Sequence, residues 1–199
     1  FVKKNWFKMY LFGFGSLINL ASAQKSFERV LTQNDLIPVK IKGYKRVWNA
    51  LESIVFDKEC VDGVFLNIQK DENSILYGVV IEISQKELEI LKLREKNYSC
   101  ITIKTQDILS QNIKNDLTAF MTTNPKKIAS LGSSNCFIPS KYIDVVKNAL
   151  ENYDEDFKEN FKEIFQNYPF AIKEGNYTFL DPIQNKAARE GIKNYNESN

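Results

Sequence analysis

The chain has 199 residues, 43% hydrophobic and 13% aromatic, with a formal net charge of +2. That much apolar content excludes disorder and suffices for one domain with a sizeable core. The positive charges are scattered along the sequence, which excludes an electrostatic footprint for nucleic acid.

Residues 1–8 precede Met9 and lack the apolar core of a signal peptide, so they are expected to be an N-terminal extension outside the fold. Residues 10–14 form a short apolar strand that runs into Gly13-Phe14-Gly15-Ser16. Two glycines around an aromatic let backbone N–H groups approach a ligand, where a Cβ would intrude. Successive N–H dipoles in one concavity suit an anion. The same glycines also suit a plain turn at a strand end. A dinucleotide fingerprint wants a third glycine three positions on, but position 18 is Ile and the next glycine is Gly43. A nucleotide is therefore disfavoured.

Ser22–Leu31 carries no apolar stripe and is expected to be a loop or short helix. Residues 36–49 alternate from Val39 onward, as a half-exposed strand does, and Gly43 in mid-run predicts a bulge or bend. Residues 51–57 and 61–69 read as two more strands, KDENS at 70–74 as a turn, and the β-branched run 75–83 as another strand. Ser84-Gln85-Lys86-Glu87 is a capping box opening a helix over 84–93. Strands are expected at 98–104 and 117–122. Pro139-Ser140 starts a helix with Tyr142, Val145, Val146 and Ala149 on one face. A second amphipathic helix bears Phe157, Phe161, Ile164 and Phe165. Together these elements predict one α+β domain over 9–182, whose short mixed strands curl into a small barrel flanked by helices. A loosely held polar tail follows at 183–199.

The chain has no histidine. Ser-His-Asp and Cys-His machinery, zincin motifs and the commonest metal ligand are thereby excluded. Cys60, Cys100 and Cys136 form no CxxC pair and have no visible base; buried reduced thiols and a cytoplasmic setting are expected. No apolar run is long enough to span a bilayer. Acid–base chemistry near neutral pH must come from a perturbed carboxylate, Lys, Cys or Tyr. Glu95, in LKLREKNYSC at the end of the 84–93 helix, has Leu91, Leu93 and Tyr98 around it. Desolvation in a cleft would raise its pKa. Between Arg94 and Lys96 it could equally be a solvated helix end.

FGFGSLIN, GYKR at 43–46, GVVIEIS leading into a helix, LREKNY at 93–98 and IPSKYIDVVKNAL at 138–150 occur in that order. In this the chain resembles the γ-glutamylcyclotransferase-like superfamily, with features of its ChaC-type, glutathione-degrading branch, over about residues 10–165. The branch usually reads REKGGY, whereas here Asn97 replaces two glycines, and residues 51–74 fit the branch poorly. The resemblance implies release of 5-oxoproline from a γ-glutamyl peptide or amide, glutathione or another, by attack of the substrate α-amine on its own γ-carbonyl. It implies Glu95 as general acid–base and a substrate-binding loop of Gly13, Phe14, Gly15, Ser16, Leu17 and Ile18. It further implies Tyr142 as a substrate-binding or cleft-wall residue. Arg46 could pair with a substrate carboxylate, or be a surface strand residue. No metal or other cofactor is implied. Expected partners are a small γ-glutamyl substrate, with neither nucleic acid nor membrane, acting as a monomer or homodimer. The alternative is a non-catalytic module that holds a small ligand in the same cleft.

Overall fold

A computed structural model describes residues 8–191 of the chain. The expected extension thus lies outside the described residues except for Lys8, as does the segment 192–199. In chain order the strands are β1 (Met9–Gly13), β2 (Ile37–Phe56), β3 (Glu59–Ile83), β4 (Ser99–Ile103), β5 (Leu117–Met121), β6 (Cys136–Pro139), β7 (Ala171–Lys173) and β8 (Tyr177–Phe179). The helices are α1 (Leu20–Gln24), α2 (Gln85–Arg94), α3 (Ser140–Ala149), α4 (Glu155–Gln166) and α5 (Pro182–Asn185). A 3-10 turn over Ser16–Ile18 links β1 to α1, and a wide π-turn over Lys186–Glu190 continues α5.

The dominant element is one hairpin of β2 and β3, 20 and 25 residues long. It absorbs the four shorter strands expected over 36–83. Its tip is Asp57-Lys58, both at positive φ (46° and 78°), as the tight turn of a twisted hairpin requires. KDENS is not the turn it resembles. Lys42 pairs with Ile75 and Tyr44 with Lys70, so residues 71–74 bulge within β3 opposite Gly43, whose φ is +85°. The bulge expected at Gly43 is therefore present, and it reverses the phase of β2. Before it, Val39 and Ile41 face inward; after it, Tyr44, Arg46, Trp48, Ala50, Glu52, Ile54 and Phe56 do. Two charged side chains, Arg46 and Glu52, are thereby carried to the buried face.

The sheet runs β4-β5-β1-β3-β2-β8, with β6 joined to β3 and β7 to β6. β1 lies between an antiparallel neighbour, β3, and a parallel one, β5. Isolated bridges Ile41–Ile108 and Ala50–Ile128 draw the loops after β4 and β5 against β2. Among the described residues, no strand closes the ring there. The mixed α+β class holds, but the strands are not all short and the sheet is not a closed barrel. The reason is the hairpin's length. β1 occupies β3 at residues 79–83, while β6 occupies it at Asp62 and Gly63, so each half of the hairpin supports its own arc.

The helices form where expected, but α3 buries Ile143, Val146 and Ala149 while Tyr142 and Val145 line a cavity, and Leu93 of α2 is exposed. Ser84 accepts from Glu87 N (3.2 Å) while Glu87 accepts from Ser84 N (2.7 Å), closing the capping box at α2. Such a cap contributes about 1 kcal/mol. On α4, Phe157 stacks between Tyr153 and Phe161 at centroid distances of 4.2 and 5.3 Å. The polar tail expected from 183 is different as far as Gly191: Asp181 caps α5 through Gln184 N (2.8 Å), and Gln184 and Ala187 are buried. Two inward side chains suffice to dock so short a segment, and average polarity conceals them. Cys136 is buried as expected, but Cys60 near the hairpin tip and Cys100 on the edge strand β4 are exposed free thiols. Among the described residues no helix is long and apolar enough to cross a membrane.

Candidate active site

β1 ends against a cavity of about 730 Å³ whose wall includes Gly13, Phe14, Gly15, Ser16 and Leu17. Neither Gly13 nor Gly15 has positive φ, so glycine is not needed there for a left-handed turn. At Gly15 the requirement is space: a Cβ would stand 2.7 Å from the Tyr142 hydroxyl and 3.6 Å from Leu66 Cβ. The loop folds on itself through Ile18 N to Gly15 O and Asn19 N to Ser16 O, both 3.1 Å. Asn19 fastens it outward, accepting from Ser22 N (3.1 Å) to cap α1 and donating to Val145 O of α3 (2.9 Å). Ile18 is 1% exposed and faces the core; its carbonyl accepts from the Tyr153 hydroxyl at 2.6 Å. It braces the loop and does not line the cavity.

Arg46 is also outside the cavity lining. Its side chain is buried behind the loop, donating to Phe14 O (2.8 Å), Tyr77 O (2.5 Å) and the Asn160 side chain (3.3 Å), with its guanidinium 3.4 Å above the Phe161 ring. Burial draws its pKa down to about 9, so it stays charged at neutrality. Neither expected role, substrate pairing or surface strand residue, matches this position. Arg46 instead fixes the Phe14 carbonyl. In a trans peptide that turns the Gly15 N–H the opposite way.

Glu95 sits where α2 ends, with its N–H on Leu91 O (2.9 Å) and its carbonyl accepting from Tyr98 N (2.8 Å). Its side chain is 18% exposed and lines the same cavity as the glycine loop. Burial raises its pKa; Arg94, whose Nε is 3.3 Å from Oε1, opposes that, and the charge of Glu52 reinforces it. The cleft alternative is thus realised: Lys96 turns outward, while Arg94 stays beside the carboxylate and lines the same cavity. Lys96 pairs outward with Asp181. Arg94 is 7% exposed and reaches Ser26 Oγ (2.5 Å), Ser22 O (3.2 Å) and Ser16 Oγ (3.4 Å), tying α2 to α1 and the loop.

Tyr142 lines the cavity, with its ring edge-on to Phe65 and Trp48 at 5.0 and 5.9 Å. Burial, Tyr177 and Glu95 push its pKa far above the usual phenol value. Burial and the Glu95 charge do the same to Tyr98, and burial carries Tyr177 up to about 12. All three hydroxyls stay protonated at neutrality and can donate hydrogen bonds. Sequence reasoning passed over Glu52. It lines the cavity, is 3% exposed, and accepts from Asn97 Nδ2 at 2.7 Å, with Lys127 Nζ at 3.9 Å. Burial raises its pKa, and hydrogen bonds from Asn97 and Gln184 together with Lys127 limit the rise. The signal was available: following the alternation through the Gly43 bulge puts position 52 inward. Asn97 thus has a use where two glycines would offer no side chain. Among the described residues no cluster of three or more His, Cys, Asp or Glu is placed to hold a metal.

No family model and no curated protein matches the sequence. Solved structures do. YkqA from Bacillus subtilis superposes with a TM-score of 0.62 at 21% identity, covering 84% of this chain and 58% of that one. A γ-glutamyl cyclotransferase superposes at 0.56 with 14% identity, covering 90% and 98% of the two chains. The glutathione-specific γ-glutamyl cyclotransferase from yeast gives 0.50 at 13% identity, over 80% and 96%. The chain has the γ-glutamylcyclotransferase-like fold. This chain spans little more than half the length of the Bacillus protein, 58%. Within the fold, FGFGSL, the Glu95 of REKNY and the Tyr142 of PSKY meet at one cavity, and GYKR braces the first from behind.

Proposed function

We propose that this chain is a γ-glutamyl cyclotransferase that releases 5-oxoproline from a γ-glutamyl peptide or amide, with Glu95 as general acid–base. The supporting observation is that a largely buried carboxylate of raised pKa shares one cavity with the Gly13–Leu17 loop and Tyr142. The substrate α-amine attacks its own γ-carbonyl carbon, closing a five-membered ring, and the bond to the departing amine then breaks. Nucleophile and electrophile belong to one molecule, so much of the rate comes from folding the glutamyl chain into a near-attack geometry. Glu95 takes the proton from the α-ammonium and delivers it to the departing amine. Loop amides hold the α-carboxylate and the developing oxyanion, and the Tyr142 hydroxyl, which lies against Gly15, donates to the substrate beside them.

The test is incubation with glutathione and a panel of γ-glutamyl amides, reading 5-oxoproline. Wild type forms it from at least one member, and Glu95→Gln lowers kcat by roughly 10²–10⁴-fold while still binding substrate. Binding without product from every member would replace this reading with that of a non-catalytic ligand-binding module.

A further inference from the structure

Glu52 stands on the buried face of β2, lines the cavity together with Glu95 and is 3% exposed. Its hydrogen bonds come from neutral amides: the Asn97 side chain at 2.7 Å, and the side chain of Gln184. Lys127 Nζ, at 3.9 Å, is too far to hydrogen-bond. Among the described residues, then, no cation donates to this buried carboxylate. Asn97 and Lys127 are outside the cavity lining, so they hold Glu52 from behind. The neighbouring acids do not relieve it. Asp181 is paired outward with Lys96, and Glu95 takes Arg94 at 3.3 Å while feeling the charge of Glu52.

The ladder fixes where Glu52 stands relative to the glycine loop. Its partner on β3 is Gly63, and a Cβ there would lie 2.8 Å from the Phe65 ring, so that ring occupies the place beside Glu52. Phe65 is in turn edge-on to Tyr142 at 5.0 Å, and the Tyr142 hydroxyl lies against Gly15. One aromatic ring thus leads from the loop side of the cavity to Glu52. Two carboxylates sharing a largely buried cavity are unfavourable unless a cation completes them. The constant part of every γ-glutamyl compound carries one cation, the α-ammonium, on the carbon that also bears the α-carboxylate. With the carboxylate on the loop amides, the ammonium points to a neighbouring wall. Its three N–H groups can serve both acids at once.

We propose that Glu52 receives the α-ammonium of the γ-glutamyl unit and holds it beside Glu95. This rests on the cyclotransferase reading of the same cavity. Glu95 removes one proton from the nitrogen, and an N–H that stays on Glu52 aims the freed lone pair at the γ-carbonyl carbon as the N–C bond forms. Glu52 itself neither gains nor loses a proton.

γ-L-Glutamyl-L-alanine and glutaryl-L-alanine differ only in that ammonium, and calorimetry on Glu95→Gln reads its contribution without turnover. The first compound should bind roughly 10–100-fold more tightly, the range for a hydrogen bond to a charged group. Adding Glu52→Gln should bring that ratio towards one and leave glutaryl-L-alanine binding unchanged, whereas adding Glu52→Asp, which keeps the charge, should retain part of the preference. A ratio that Glu52→Gln does not alter, or an equal loss on both compounds, would overturn the anchor; the latter would make Glu52 a structural residue only. Should Glu52→Gln fail to fold, the complex of Glu95→Gln with γ-L-glutamyl-L-alanine decides. There the α-nitrogen lies within hydrogen-bond reach of a Glu52 oxygen, and a nitrogen turned away from Glu52 would overturn the proposal. A Glu52-dependent preference without wild-type turnover of any γ-glutamyl compound would sustain the anchor and end the cyclotransferase reading. Turnover with a preference independent of Glu52 would end the anchor alone.

Discussion

Two buried arginines flank the glycine loop, and they do opposite things. Arg46 stands behind the loop, 8% exposed, and its donors go to Phe14 O, Tyr77 O and Asn160. Arg94 stands in front, 7% exposed, with donors to Ser16, Ser22 and Ser26, and it also touches Glu95. One charge is spent wholly on main chain and one amide; the other is held at the rim of a carboxylate. A buried arginine is thus not a binding residue by type. What differs is the set of partners: the Arg46 fork is taken up by carbonyls and an amide, whereas Arg94 lines the cavity and also pairs with Glu95.

Replacing each in turn should break the comparison most sharply. Arg46→Met leaves the Phe14 and Tyr77 carbonyls buried without donors, at about 1–3 kcal/mol each. Thermal unfolding should show a total loss of roughly 2–6 kcal/mol, and turnover should fall only as far as the loop moves. Arg94→Met removes the cation that holds down the Glu95 pKa. The acid limb of the kcat/KM profile should therefore move to higher pH. No such movement would mean that Arg94 is merely structural.

Gly15→Ala probes the loop between them. Its Cβ meets the Tyr142 hydroxyl at 2.7 Å, and overpacking of this kind costs about 1–3 kcal/mol. Adding Tyr142→Phe should recover part of that loss, and a thermal double-mutant cycle would measure the coupling. Strict additivity would contradict the contact.

Glu52→Gln removes a negative charge that raises the Glu95 pKa, so the acid limb should move modestly to lower pH. Stability gives the complementary sign. Glu95 has a higher pKa folded than unfolded, so the native state binds more protons between the two values. Stability should fall as pH rises from the unfolded value through the folded one, and this slope should be absent from Glu95→Gln. As the smallest effect, Lys8→Ala breaks the exposed 2.8 Å pair with Glu82 and should change stability by no more than about 1 kcal/mol.

Much of this was legible where local chemistry decides. The capping box at Ser84, the helix after Pro139, the aromatic stripe of α4 and the bend at Gly43 follow from short-range preferences, and all are present. Glu95 and Tyr142 share the cavity with the loop as the motif order implied. Continuity of the long hairpin was not legible, because polar residues 70–74 look like a turn while forming a bulge inside a paired strand. Arg46 and Glu52 were misjudged or missed for one reason: the bulge reverses which side chains face inward. The C-terminal wall was hidden because Gln184, Ala188 and Arg189 act through position in space, not through any periodic pattern.

The most direct measurement is a crystal structure of Glu95→Gln holding γ-L-glutamyl-L-alanine. The substrate α-carboxylate should rest on amides of the Gly13–Leu17 loop, with the α-amine and the departing nitrogen both within hydrogen-bond reach of residue 95. A substrate bound elsewhere, or with its γ-carbonyl turned away from residue 95, would contradict the account.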